Sequence, residues 1–227
     1  TRISKIIMKL IRALWGDKKE IKEEIPTKPD DSVVYVWGKD NLDFLKSLGY
    51  KTRFVEDTIQ SDYKFKLISL DLGFKEFKEC IFLDWDCKQI KSIDNLEFNS
   101  PSMPLYSYPK EYEFSNPNIT KQVKTFGWEL DDFYVLPNAC CITVKGFNLG
   151  KELLSIHEKY NFDTLVEEFA FKVFTNSTLD EYIEMYDSPY LYGRESSQYF
   201  WVDGKKVNTA KRLNEYIGKK QIKFIHE

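Results

Sequence analysis

Apolar runs of strand length alternate with amphipathic segments through the first ninety residues of the chain. Val33–Trp37 is rich in β-branched and aromatic residues, and we predict it as a strand together with Lys51–Glu56 and Cys80–Leu83. The segments between them, Asn41–Leu48 and Tyr63–Phe77, carry apolar residues at helical spacing and are predicted as helices. Strands and helices in this alternation predict right-handed parallel βαβ units.

The first apolar segment, Ile3–Trp15, fits two different elements. Its isoleucines and leucines recur at helical spacing, with Ser4 as a candidate cap, and this pattern predicts a helix. The same residues also fit a buried strand that ends at Trp15 and Gly16. The hydrophobic pattern by itself leaves both alternatives open.

The second half of the chain is less regular. The segment Asn99–Asn118 is broken by prolines and tyrosines, which predicts a long irregular stretch of the functional or mobile kind. Strands are predicted at Phe133–Leu136, Cys140–Val144 and Ile222–Ile225, and a hairpin is predicted around Asp203-Gly204. The remaining predicted helices are Asp17–Glu24, Asn148–Tyr160, Asp163–Phe174, Leu179–Tyr186 and Ala210–Ile217.

Composition narrows the class of protein. A chain of 227 residues with 42% apolar and 16% aromatic residues can bury a large core, in one α/β domain or two smaller ones. The 33 basic and 36 acidic residues nearly balance, which argues against nucleic acid as a partner. No apolar run is long enough to span a membrane as a helix. We therefore predict an α/β fold whose central, mostly parallel sheet is flanked by helices.

The four cysteines indicate a reducing compartment. Cys80, Cys87, Cys140 and Cys141 do not have the spacing of zinc ligands. Three of them lie in apolar runs, where a cysteine usually behaves as a small buried apolar residue. Disulfide bonds are not expected, and no small-residue cleavage site of a signal peptide follows the N-terminal apolar block. These features favour a cytoplasmic protein.

The candidate chemistry begins where the strand Cys80–Leu83 ends in Asp84-Trp85-Asp86. Carboxylates resist burial unless they are paired or bound to a metal. Open α/β sheets bind their ligands beyond the carboxyl ends of the strands. Two aspartates one residue apart suit a hard divalent cation that also takes substrate phosphates. The alternative is a solvated acidic turn in which Trp85 only packs.

This acidic turn resembles the DxD motif of nucleotide-sugar-dependent glycosyltransferases of the GT-A fold. The order of predicted elements is similar to such a domain over most of the chain. The resemblance implies a single Rossmann-like domain, with residues 1–98 as the nucleotide-binding half and residues 99–227 as the acceptor-binding half. It also requires a first strand, so we expect a strand rather than a helix within Ile3–Trp15.

Four further positions are similar to functional positions of these enzymes. Lys66 precedes the DxD strand by one helix and would reach the donor, unless it is an ordinary solvated lysine. Asn138 would open a strand at the donor, unless it is a turn asparagine. Glu167 and Glu168 would lie at the sugar, although acidic residues are favoured in any first helical turn. His226 would complete the metal site, unless it is a free terminal histidine.

The resemblance implies a role for each residue of the donor site. Asp86 would bind the metal directly and Asp84 would bind ribose and metal-bound water, with Mn²⁺ favoured over Mg²⁺ if His226 is a ligand. The nucleoside needs aromatic or apolar walls. The candidates for these walls are Trp15 and Gly16 at the end of the first strand and Trp37 and Gly38 at the end of the second, although Trp15 fits a core position equally well. Trp85 is a further candidate for contact with the donor.

An inverting reaction would also need a general base at the acceptor hydroxyl. Glu168 is our first choice and Glu167 the second, with Asp131 and Asp132 as rivals. The sequence leaves inverting and retaining chemistry both open.

The expected activity is transfer of a hexose or deoxyhexose from a UDP- or GDP-type sugar to a hydroxyl of a glycan or glycoconjugate. Further domains in a longer polypeptide are compatible with this expectation. Two alternatives remain. A sugar-nucleotide nucleotidyltransferase shares the acidic metal site but usually adds a glycine-rich basic signature, whereas a carbohydrate- or protein-binding module would use the tyrosines from Tyr106 to Tyr112 as its surface.

Overall fold

A computed structural model gives the architecture of the chain. It describes residues 8–16, 19–56, 64–89, 92–93, 101–109, 117–130, 133–187, 191–192, 200–202, 205–207 and 224–226. Within these ranges the chain is a mixed α/β protein, as the sequence predicted.

Five strands form the central sheet: β1 (Lys9–Leu14), β2 (Val33–Val36), β3 (Lys51–Phe54), β4 (Cys80–Leu83) and β9 (Cys141–Val144). Their order in the sheet is β3-β2-β1-β4-β9. The first four strands in this order run parallel to one another, and β9 runs antiparallel to β4. The prediction of a mostly parallel sheet is therefore confirmed.

Eight further strands and seven helices complete the described elements. The further strands are β5 (Cys87–Gln89), β6 (Leu105–Pro109), β7 (Trp128–Leu130), β8 (Phe133–Pro137), β10 (Leu191–Tyr192), β11 (Phe200–Val202), β12 (Lys205–Val207) and β13 (Phe224–His226). The helices are α1 (Lys19–Glu24), α2 (Lys39–Ser47), α3 (Lys64–Phe77), α4 (Pro117–Phe126), α5 (Leu149–Tyr160), α6 (Val166–Thr175) and α7 (Leu179–Met185).

The first apolar segment is a strand where the structure describes it. Nearly every residue of β1 is buried, because β2 and β4 lie on either side of it and helix α3 packs against it. A strand covered in this way needs a continuous apolar run rather than alternation. The helical alternative for Ile3–Trp15 is therefore wrong for residues 9–14, and residues 1–7 lie outside the described residues.

Helices α3 and α5 approach each other closely at Gly150, one of the buried residues of α5. A methyl group on Gly150 would lie 2.7 Å from the carbonyl oxygen of Leu67, and closer still to the backbone nitrogen of Asp71. Both atoms belong to the backbone of α3, so a clash could not be relieved by a side-chain rotation. This contact fixes α3, and with it Lys66, relative to the second half of the chain.

Gly150→Ala is expected to destabilise the protein by about 1–3 kcal/mol, because the added methyl overpacks the interface between α3 and α5. Chemical denaturation followed by circular dichroism measures the loss. Ser155→Ala, at an exposed position of the same helix, is the matched control. A loss no larger than that of the control would show that the two helices separate without cost.

The predicted irregular stretch at Asn99–Asn118 contains regular structure after all. Strand β6 pairs antiparallel with β8, and α4 begins at Pro117. Prolines obscured both elements. Pro109 ends an edge strand of the β6-β8-β7 sheet, and proline is tolerated at the first position of a helix because its missing N–H has no intrahelical partner.

Several predicted elements lie partly or wholly outside the described residues. Strands β11 and β12 pair antiparallel, which confirms the predicted hairpin, although its Asp203-Gly204 turn is not described. The predicted helix Ala210–Ile217 is not described either. In the described part of the chain no helix is both long enough and apolar enough to cross a bilayer. All four cysteines are buried and free.

Candidate active site

The candidate site lies at the carboxyl ends of β1 and β4. From β1 the sheet continues to β2 and β3 on one side and to β4 on the other, so the chain reverses its direction of winding between β1 and β4. Open α/β sheets bind ligands in the crevice at such a switch point. A cavity of about 270 Å³ opens there. It is lined by Ala13, Leu14, Trp15, Ile21, Glu24, Lys66, Asp84, Trp85, Asp86 and Glu167.

The acidic sequence after β4 forms a tight turn. The backbone N–H of Cys87 donates to the carbonyl oxygen of Asp84 over 3.1 Å, and the N–H of Asp84 donates to the carbonyl of Cys140 over 2.9 Å. Trp85 turns its indole inward, where Nε1 donates to the carbonyl oxygen of Ala13 over 2.8 Å. Trp85 is thus mainly a core residue whose edge reaches the cavity.

Lys66 is buried among carboxylates at the cavity. Its Nζ lies 2.9 and 3.0 Å from the two carboxylate oxygens of Asp84 and 3.3 Å from Oε1 of Glu167. Burial works to lower the pKa of this ammonium, but the charges of three neighbouring carboxylates, those of Asp84, Glu167 and Glu168, hold it above its ordinary value. The alternative of an ordinary solvated lysine is therefore wrong.

The two candidate glutamates occupy the first turn of α6, but their surroundings differ. Glu167 lines the cavity beside Lys66, whereas Glu168 is not among the described residues that line it. One carboxylate oxygen of Glu168 accepts a 3.3 Å hydrogen bond from the N–H of Ala139. The other is buried and has no hydrogen-bond partner among the described residues. Burial, reinforced by the charge of Glu167, raises the pKa of Glu168 to about 8.

Asn138 forms a turn that contacts the site residues through Ala139. Its side-chain oxygen accepts a 3.0 Å hydrogen bond from the N–H of Cys140, which is the usual behaviour of a turn asparagine. This turn presents Ala139, whose carbonyl lies 3.4 Å from Nζ of Lys66 and whose N–H reaches Glu168. Contact between Asn138 and a donor stays a prediction.

A second cavity, of about 510 Å³, opens at the carboxyl ends of β1 and β2. Gly16 and Trp37, both predicted at the nucleoside, line it together, whereas Trp15 lines the first cavity. The side-chain nitrogen of Asn41 donates to the carbonyls of Gly16 and Trp37, over 3.0 and 2.9 Å. Asn41 thereby joins the ends of the two strands. The lining residues are Gly16, Lys22, Trp37, Gly38, Lys39, Asp40 and Asn41.

The C-terminal strand returns to the acidic turn. Strand β13 pairs antiparallel with β5, and its register sets His226 opposite Cys87. Cys87 directly follows Asp86, so the backbone of His226 lies beside the proposed metal ligand although the two residues are far apart in sequence. Two carboxylates and one imidazole are a donor set that suits Mn²⁺.

The described side chains alone do not make a metal cluster. Among them, no group of three or more histidine, cysteine or acidic residues is arranged to hold a metal ion. Metal binding at Asp84, Asp86 and His226 is therefore a prediction that rests on the register of β13 and β5. Asp131 and Asp132 lie outside the described residues.

No protein-family model matches the chain, and a search of curated proteins finds no match. Among solved structures the chain is similar to a glycosyltransferase involved in the glycosylation of the major capsid of PBCV-1, with 10% identity, a TM-score of 0.41 and coverage of 96% of this chain and 92% of that one. It is also similar to mouse xyloside xylosyltransferase 1, with 10% identity, a TM-score of 0.43 and coverage of 97% of both chains. A third similar structure is the bifunctional glycosyltransferase WbbM, with 12% identity, a TM-score of 0.48 and coverage of 100% of this chain and 46% of that one. TM-scores this low carry no argument about activity.

Sequence reasoning missed Arg12, which contacts the acidic turn from β1. The signal that could have found it is a charged residue inside an otherwise apolar strand. A buried charge of this kind must have partners. Arg12 is 3% exposed, and its guanidinium donates to the carboxylate of Asp30 and to the backbone of the acidic turn.

Proposed function

We propose that this chain is a metal-dependent glycosyltransferase of the GT-A type, which transfers a sugar from a nucleoside-diphosphate sugar to a hydroxyl of a glycan or glycoconjugate. The observation that carries the proposal is the contact of Lys66 with Asp84 and Glu167 in the cavity at the switch point. A buried cation among carboxylates at this position suits recognition of a diphosphate whose charge is shared with a metal ion.

Asp86 and His226 would hold the divalent cation, Mn²⁺ or Mg²⁺, with Asp84 beside them. When bound, the cation supplies Lewis-acid stabilisation of the departing diphosphate. Lys66 holds the Asp84 carboxylate by both oxygens, so that carboxylate keeps a fixed direction at the cavity. Lys66 would also supply a positive charge at the cavity in addition to that of the cation.

We assign the nucleoside to the walls near Trp15, Gly16 and Trp37, at the ends of β1 and β2. The apolar and aromatic character of these residues suits a nucleobase. Either UDP or GDP is compatible with them. A nucleoside-diphosphate sugar would lie along this edge of the sheet, in the cavities at the ends of β1, β2 and β4.

Of the two glutamates, we assign Glu167 to the donor sugar. Glu167 lines the cavity, whereas Glu168 is not among the described residues that line it, and its carboxyl group accepts a hydrogen bond from the N–H of Ala139. Glu167, the second choice for the general base on sequence grounds, is thereby preferred over Glu168, the first choice.

Calorimetric titration of UDP and GDP, each with and without Mn²⁺, tests the proposed function. We expect one nucleotide to bind and its affinity to depend on the metal. Binding of neither nucleotide under any metal condition would contradict the proposal. Binding of a glycan without nucleotide or metal would instead favour a carbohydrate-binding module, and a preference for nucleoside triphosphates would favour a nucleotidyltransferase.

A further inference from the structure

Arg12 is a buried charge in the middle of the central sheet. It belongs to β1, in which the residues on both sides of it are apolar and buried. A guanidinium in such a position destabilises the fold unless its donors are all used. The contacts of Arg12 therefore indicate its role in the structure.

Two of these contacts are with the backbone of the acidic turn. Nη1 of Arg12 donates to the carbonyl oxygen of Asp84 over 2.5 Å, and Nη2 donates to the carbonyl oxygen of Cys87 over 3.1 Å. Asp84 and Cys87 are the first and last residues of the turn, and the N–H of Cys87 donates to the same Asp84 carbonyl. The planar guanidinium thus spans the turn and joins its two ends.

The other contacts fix the guanidinium itself. Nε and Nη2 of Arg12 donate to Oδ2 of Asp30, over 3.1 and 2.8 Å, and Oδ1 of Asp30 accepts from the backbone N–H and the hydroxyl of Ser32. Burial works to raise the pKa of Asp30, but the Arg12 charge and the hydrogen bonds outweigh it and lower that pKa. Asp30 is therefore ionised at neutral pH and locks the orientation of Arg12.

The indole of Trp85 also contacts the guanidinium of Arg12. The guanidinium carbon of Arg12 lies 5.0 Å from the centre of the Trp85 ring, within the range of a cation–π contact. Nε1 of Trp85 is bonded to the carbonyl of Ala13, the residue after Arg12. Two consecutive residues of β1 therefore hold the middle and both ends of the turn.

We propose that Arg12, oriented by Asp30, is the positioning residue that fixes the turn Asp84–Cys87 and so sets the direction of the Asp84 and Asp86 side chains toward the cavity. The link to metal binding rests on the proposed function, whereas the fixing of the turn does not. A lysine could not replace Arg12, because one ammonium cannot match two carbonyls and a carboxylate in the geometry of the planar fork.

Two variants test the inference. Arg12→Lys keeps the charge and removes the fork. The double variant Arg12→Met/Asp30→Asn removes both charges together, which avoids an uncompensated buried charge, and keeps an acceptor for Ser32. Arg53→Lys is the matched control, because Arg53 of β3 forms an exposed ion pair with Glu76 of α3. Thermal melting identifies variants that fold.

Two readouts separate the turn from the metal. The first is amide hydrogen exchange of Asp84 and Cys87 in the metal-free protein, measured against Ile81 and Phe82 in β4. We expect exchange at the turn to accelerate in both Arg12 variants while β4 changes much less. The second is affinity for Mn²⁺, added alone and followed by electron paramagnetic resonance. We expect it to fall by about 10-fold or more, as when groups that orient metal ligands are removed.

The possible outcomes test the positioning role of Arg12 and the link between the turn and the metal separately. Unchanged exchange at Asp84 and Cys87 in both variants would overturn the positioning role, whatever the metal does. Changed exchange with wild-type Mn²⁺ affinity would overturn the link between the turn and the metal. If the wild-type protein itself binds no Mn²⁺, the metal part of the proposed function fails, and the exchange data alone decide the role of Arg12.

Discussion

Asp86→Asn is expected to lower the rate of metal-dependent sugar transfer by about three orders of magnitude. The substitution keeps the size of the side chain and removes the charge that would bind the cation directly. A catalytic metal contributes several kcal/mol to the stability of the transition state, and each ~1.4 kcal/mol changes the rate tenfold. The measurement is the Mn²⁺-dependent hydrolysis or transfer rate of whichever sugar nucleotide the protein binds.

The matched control for this prediction is Asp180→Asn, at an exposed position in the first turn of α7. Both variants should melt close to the wild-type temperature, since neither substitution alters the apolar core. Undiminished Mn²⁺-dependent turnover in Asp86→Asn would remove Asp86 from the metal site. Equal losses in both variants would show that the assay reports folding rather than metal binding.

Glu168→Gln is expected to stabilise the folded protein by roughly 3 kcal/mol at pH 7, given about 1.4 kcal/mol per pKa unit. The pKa of Glu168 is raised from 4.5 to about 8 in the fold, so the native state holds a proton that the unfolded state releases above pH 4.5. The native state therefore binds more protons, and wild-type stability falls as pH rises from 4.5 toward 8. Glutamine removes this penalty and still offers Ala139 an oxygen acceptor.

Urea denaturation at several pH values between 5 and 8 checks this prediction, with a stability difference that grows as pH rises over that range. Glu184→Gln, at an exposed position of α7, is the control and should show no such trend. A Glu168→Gln variant no more stable than wild type at pH 7 would mean that the fold does not raise the pKa of Glu168. We also expect this variant to retain transfer activity, which would exclude Glu168 as the base.

The raised pKa of Glu168 comes first from the burial of its carboxyl group and then from the charge of Glu167 beside it. Lys66 faces Asp84, Glu167 and Glu168, and it contacts the first two directly. The charge of Lys66 works to lower the pKa of Glu168, but it does not offset burial and the charge of Glu167. We therefore expect Glu168 to support the turn at Ala139 rather than to take part in the reaction.

Several features of the molecule could be predicted because they depend on residues close in sequence. The apolar run of Cys80–Leu83 predicted a buried strand, and the periodicity of Tyr63–Phe77 predicted a helix; both are confirmed. The acidic sequence Asp84-Trp85-Asp86 marked the end of the strand Cys80–Leu83 as the candidate site. Elements with a conflicting local signal were harder to predict, as with β6, where prolines masked a strand that pairs with β8.

The sequence by itself determined the alternation of strands and helices and the location of the acidic turn, because hydrophobic spacing and strand ends are local properties of the chain. Only the tertiary structure decided which side chains meet there. Strand order sets Arg12 against the turn, and the packing of α3 brings Lys66 to Asp84. The start of α6 sets Glu167 at the cavity and Glu168 against the backbone of Ala139. These contacts join residues far apart in the chain, so their geometry follows from packing rather than from any local pattern.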